Sequence, residues 1–129
     1  MNDPKNRPTF IYSTKYLRFP FNFETVMDIY VDVDKTVCRT EGTDYSNAKP
    51  IHENITRVNR LFDEGNRIVY WTARGMKTGI NWRELTESQF AEWGIKYHEL
   101  RLDKPAFDVF IDDRVINTID WENGKWISD

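Results

Sequence analysis

The chain has 129 residues, a formal net charge of −3 and one cysteine. That length makes one domain with a real core, and its interspersed acids and bases offer no basic track to a nucleic acid. One cysteine excludes an internal disulfide framework, and no apolar run reaches membrane-spanning length, so a soluble cytoplasmic protein with no signal peptide and no membrane partner is expected.

Met1 to Pro8 is polar with two prolines and is expected to be disordered. Thr9 to Phe23 carries Phe10, Tyr12, Tyr16, Phe19, Phe21 and Phe23. Exposed aromatics seldom stay unburied, so this stretch is expected to lie over its own domain, with a homo-oligomer contact as the alternative. The chain is thus divided into a partly disordered arm, 1–23, and a domain, 24–129.

Met27 to Val31 is a β-branched and aromatic run that reads as a buried strand. It ends in Asp32, Asp34 and Thr36. Residues i and i+2 of a strand point to one side, so Asp32 and Asp34 are expected to face one spot. Two carboxylates that close repel unless a cation sits between them or one is protonated. Cys38 reads as a small buried filler rather than a nucleophile.

A polar loop follows, and Pro50 suits a first helical position. Ile51, Ile55, Val58, Leu61 and Phe62 repeat at helical spacing, and Gly65 ends that helix. Arg67 to Trp71 predicts a second strand, ending in Thr72-Ala73-Arg74-Gly75. A loop over Met76 to Trp82 leads to a helix over 84–93, closed by Gly94. Ile95 to Leu100 predicts a short third strand, and Phe107 to Ile111 a fourth, ending in Asp112-Asp113. Asn123-Gly124, between Trp121 and Trp126, predicts a tight hairpin. Strands alternating with helices predict a single α/β, Rossmann-like domain. Its central parallel sheet is expected to hold the first strand inside and the third at one side.

On that topology Asp32, Asp34, Thr72, Lys104, Asp112 and Asp113 all fall at one carboxyl edge, where open α/β sheets bind ligands. Three or four carboxylates converging there need a hard cation, and oxygen donors suit Mg²⁺. A hydroxyl and an ammonium beside a metal are groups that hold a phosphoryl oxygen. Singly, Thr72 reads as a helix cap, Lys104 as a solvated charge and Asp112-Asp113 as a turn; those readings explain the joint placement badly.

These residues resemble, in order, the four motifs of the haloacid dehalogenase superfamily of phosphatases and phosphotransferases. D-x-D-x-T is matched by Asp32, Asp34 and Thr36, the second-strand hydroxyl by Thr72, the lysine by Lys104, and the paired acids by Asp112 and Asp113. The resemblance spans roughly Val26 to Asn117. The wording around the motifs is similar to small bacterial proteins labelled capsule-biosynthesis phosphatases. The resemblance implies a Mg²⁺-dependent phosphomonoester hydrolase acting on a small sugar or polyol phosphate. Asp32 would be the nucleophile and Asp34 the general acid and base. Asp32, Asp112, Asp113 through water, and the backbone carbonyl of Asp34 would hold the metal. Thr72 and Lys104 would hold phosphoryl oxygens, with Thr36 beside them. Arg74 would reach a distal part of the substrate, or else form a surface salt bridge. Asn81 would touch substrate, Trp82 would pack in the core, and His52 and His98 would be bystanders.

Two features depart from the family. Lys35 stands where many members have glycine; the turn is expected not to require positive φ, and the extra cation favours phosphate. No segment is long enough for a large cap domain, which leaves the site open or closed by a neighbouring subunit. A polynucleotide end phosphatase and a catalytically silent binding module are the alternative functions. A phosphoacceptor signalling domain would carry its acids in the reverse order.

Overall fold

The structure is a computed structural model and describes residues 26–126. The aromatic arm lies outside the described residues. Strand β1 (Asp28–Val31) runs parallel to β4 (Arg67–Trp71), with Ile29 opposite Ile68 and Val31 opposite Tyr70. On its other side β4 runs parallel to β5 (Glu99–Arg101). Two short strands, β2 (Cys38–Arg39) and β3 (Lys49–Pro50), pair antiparallel and bracket a 3-10 turn at Tyr45–Asn47. Helices α1 (His52–Asp63) and α2 (Arg83–Trp93) connect the parallel strands, and a short helix α3 (Thr118–Glu122) follows. Among the described residues the architecture is α/β, with a three-stranded parallel sheet and three α-helices, consistent with a Rossmann-like fold.

The core follows from the apolar spacing. β4 is buried at Ile68, Val69 and Tyr70, as a central strand covered on both faces must be. α1 buries Asn54, Ile55 and Val58, and α2 buries Thr86, Gln89 and Phe90, each set sharing one helical face. Tyr70, Phe90 and Tyr97 meet edge to face. Burying a side chain such as Ile68 contributes about 1.5–3 kcal/mol. Asn66 joins the end of α1 to the start of β1: its amide donates to the Leu61 carbonyl at 3.0 Å and accepts from the Met27 N–H at 3.1 Å.

The sequence reading is corrected in four places. Phe107–Ile111 forms no strand among the described residues, and its side chains are exposed. β1 is consequently an outer strand of the described sheet, not an inner one. Pro50 sits in β3, and helix α1 begins two residues later. Asn123-Gly124 makes no hairpin: Asn123 caps α3, and Gly124 at φ +90° completes the turn by donating to the Trp121 carbonyl.

Candidate active site

β1 delivers Asp32 at its carboxyl end, and Val33 and Val37 behind it are fully buried. Those two valines anchor a tight turn: Thr36 and Val37 both donate to the Val33 carbonyl, and Lys35 donates to the Cys38 carbonyl at 2.7 Å. Closing it puts Lys35 at φ +68°, the one non-glycine residue so placed among the described residues. The expectation that this turn needs no positive φ is therefore wrong. A lysine Cβ in the left-handed region costs about 1–3 kcal/mol, which glycine would avoid.

Asp32 is half-buried, and the Lys104 ammonium lies 3.4 Å from its Oδ1. Burial pushes its carboxyl above the usual range, and Lys104 offsets only part of that. Lys104 is placed by the backbone. Thr72 donates to the Arg101 carbonyl at 2.9 Å, and Lys104 donates to the Thr72 carbonyl at 3.2 Å, so the β4–β5 ladder runs on past both strands. The Lys104 ammonium lies over the rings of Phe107 and Trp71, at 5.5 and 6.0 Å from their centroids. The Trp71 indole is itself fixed by donating to Asp103 at 2.9 Å.

Asp34 has a different environment. Arg74 grips both of its oxygens, Nε to Oδ2 at 3.0 Å and Nη2 to Oδ1 at 2.9 Å. Thr40 and the Cys38 thiol also donate to Oδ1. Burial raises the Asp34 carboxyl, but the bonds from Arg74 and Thr40 outweigh it and hold the carboxyl below its usual value. Arg74 is no surface salt bridge: it is buried, and its Nη1 donates to Thr86 at 3.0 Å and Gln89 at 2.8 Å. Gln89 donates in turn to the Tyr45 carbonyl, and the Tyr45 ring covers the guanidinium at 4.8 Å. Nor does Arg74 extend toward a substrate; its donors are spent inside the fold. The Cys38 thiol is pushed by burial up to about 11, so it stays protonated and inert at neutral pH.

A cavity of about 710 Å³ brings together Asp32, Thr36, Lys104 and Asp112, with Trp71, Phe110 and Thr118 also in its wall. The Thr36 hydroxyl shares a hydrogen bond of 2.9 Å with that of Thr118. Asp34, Thr72, Arg74, Asn81 and Asp113 do not line this cavity. The buried Thr72 hydroxyl accepts from the Arg74 N–H at 3.2 Å, and Asn81 accepts from the Arg83 N–H at the start of α2. Trp82 is half-buried edge to face against Tyr45. His98 stacks on Phe62, and its Nδ1 accepts from the Ile68 N–H. Thr40, Thr86, Gln89 and Thr118 were not foreseen; nothing in their spacing marks them, because each is a lone polar residue meeting Asp34, Arg74 or Thr36 only in space.

The acids do not gather as expected. Among the described residues no group of three or more His, Cys, Asp or Glu side chains could hold a metal ion. Asp34 spends both carboxylate oxygens on protein donors, and Asp112, exposed in a turn, accepts from the Arg114 N–H at 2.9 Å. Of the acids expected to gather, Asp32 and Asp112 line the cavity; the third carboxylate in its wall, Asp28, belongs to the opposite end of β1. That set falls short of a protein cage, although Mg²⁺ commonly takes only one or two carboxylates and keeps several waters.

No family model and no curated protein matches this chain. A crystal structure of a structural-genomics target from Vibrio cholerae is similar to it, with a TM-score of 0.70 and 23% identity, covering 78% of this chain and 90% of that one. A likeness at that identity speaks for the fold. No helix among the described residues is long and apolar enough to cross a membrane.

Proposed function

We propose that the chain is a phosphomonoester hydrolase with a haloacid dehalogenase-like fold, acting through an aspartyl-phosphate on Asp32. The observation that carries this reading is Asp32 at the end of β1, facing a cavity with the Lys104 ammonium 3.4 Å away. An Asp32 oxygen attacks phosphorus, and the bond to the leaving oxygen breaks with its electron pair. Lys104 holds a non-bridging oxygen as charge builds there, and its backbone tether to Thr72 keeps it in register. Water then attacks phosphorus, and the electron pair of the broken bond returns to Asp32. A carboxylate has about four lone-pair sites. Oδ1 of Asp34 already takes three donors and Oδ2 one, so proton transfer is assigned to Oδ2, acting through one water because Asp34 does not line the cavity. Mg²⁺, with Asp32 and Asp112 as its protein donors, would supply charge neutralisation when bound. Small sugar or polyol phosphates suit a cavity of this size, and the motif resemblance favours them.

Phosphate release from a panel of sugar and polyol phosphates, with Mg²⁺ and with excess chelator, tests this reading. Turnover should require the metal and vanish in Asp32→Asn, and acid-quenched native protein should carry phosphate on Asp32. Turnover that survives Asp32→Asn would mean another nucleophile.

A further inference from the structure

A second cavity, of about 360 Å³, adjoins the first and shares Thr118 with it. Lys35, Arg39, Thr40, Ile51, Ile119 and Glu122 complete its wall. Neither Lys35 nor Arg39 forms an ion pair with another described residue. The one carboxylate in the wall, Glu122, accepts from the Asn54 amide at 2.6 Å. We infer that this cavity is a subsite for a second phosphate group on the substrate, bound by Lys35 and Arg39 beside the hydrolysed ester.

Two independent observations meet here. One is the pair of cations that form no ion pair with another described residue, Glu122 in the same wall being bonded to Asn54, and that face a space large enough for a phosphate. The other is the backbone of Lys35, held at φ +68° where glycine would be cheaper. A residue kept in a sparsely populated conformation points to a use for its side chain. The hydroxyls fit as well. The Thr40 proton is committed to Asp34. Thr36 and Thr118 share one hydrogen bond between them, so one hydroxyl proton of that pair remains to be donated. If Thr36 is the donor, the free proton belongs to Thr118, which borders both cavities.

This inference rests on the first cavity taking the ester phosphate, and it narrows the substrate to a small bisphosphate. The test is calorimetric binding to the full chain carrying Asp32→Asn, which removes hydrolysis from the measurement. The probes are straight-chain α,ω-diol bisphosphates of increasing length, each against the hydroxyalkyl monophosphate of the same length. At the length that spans the two cavities the bisphosphate should bind roughly tenfold tighter, the worth of one charge-assisted contact. Adding Lys35→Gly should remove most of that preference while raising the melting temperature, because glycine relaxes the turn; folding is thus protected in the variant. Arg39→Gln should remove a similar share. Equal affinity at every length, or a preference that survives Lys35→Gly, would overturn the subsite. A retained preference with no turnover by the native protein would support the subsite and refute only the hydrolase reading.

Discussion

Asp34→Ala and Arg74→Met remove opposite halves of one ion pair, and their costs should differ. The Arg74 side chain is 0% exposed and that of Asp34 23%. Without Asp34, a guanidinium that water does not reach keeps Thr86, Gln89, a weak bond to the Cys38 sulfur and the Tyr45 ring. Breaking a buried pair costs about 3–5 kcal/mol. The surviving neutral acceptors place Asp34→Ala near the lower end, at about 3 kcal/mol. Without Arg74, the Asp34 carboxylate keeps Thr40 and part of its hydration, and methionine fills much of the vacated volume, so about half that cost is expected. At roughly 4 °C per kcal/mol for a domain near this size, the melting temperature should fall by about 12 °C and about 6 °C. The double variant Asp34→Leu/Arg74→Met should lose less than Asp34→Ala alone, because an apolar pair has no charge to strand. Acid titration adds a sign. The Asp34 carboxyl is lowered in the fold, so its contribution is complete above the ordinary value of 3.8 and lost as pH falls through the lower folded value. The gap between native protein and Asp34→Ala should therefore hold at neutral pH and close only below about pH 4. Thermal melts by circular dichroism measure all of this. Equal small losses from both single variants, or a double variant that loses their sum, would show that the pair is not coupled.

Two further outcomes concern stability. The Asp32 carboxyl is raised, so what it contributes is present below the ordinary value and lost as pH rises through the folded one; Asp32→Asn should melt higher than the native protein at pH 7, with no advantage in strong acid, and a lower melting point at pH 7 would refute the assignment. Tyr70 is fully buried and its hydroxyl has no hydrogen-bond partner among the described residues, so Tyr70→Phe should gain about 1 kcal/mol in urea unfolding; a loss would mean that the hydroxyl has a partner.

β4 is legible from its β-branched and aromatic run, α1 from its apolar period, and α2 from the Gly94 that stops it. After Arg67 the strand runs Ile68-Val69-Tyr70-Trp71 in β-branched and aromatic residues, and the apolar spacing from Ile51 to Phe62 fits only a helix. Local composition fails where the deciding partner is remote. Phe107–Ile111 has strand-forming residues, yet a strand also needs an edge to pair with, and no described edge takes it. Asn123-Gly124 supplies a positive φ equally well to a hairpin or to a helix end; Asn117, whose side chain accepts from the Ile119 N–H to cap α3, was the overlooked signal. Lys35 shows how a residue type misleads: a lysine gives no sign of positive φ in the sequence, yet the turn closed by Val33 and Cys38 requires it. Within the site, the nearness of Lys104 to Asp32 was readable from order along the sheet edge. That Arg74 turns inward to Asp34 was not, because burying a guanidinium depends on acceptors from Thr86 and Gln89 as well as the acid.

The ladder bond from Lys104 to Thr72 divides the site mechanically. Lys104 is the last residue the sheet holds on that side. Pro105 comes next, with no N–H to offer and a fixed φ. Beyond it the stretch that carries Asp112 has no ladder among the described residues. At its far end the stretch is tied down again, by Thr118 to Thr36 and by Glu122 to Asn54. Asp112 is thus carried on a span moored at both ends, whereas the 3.4 Å gap between Asp32 and Lys104 is set by the sheet itself. The site is built like a bridge deck beside an abutment: Asp32 and Lys104 stand on the sheet, and Asp112 hangs between two piers.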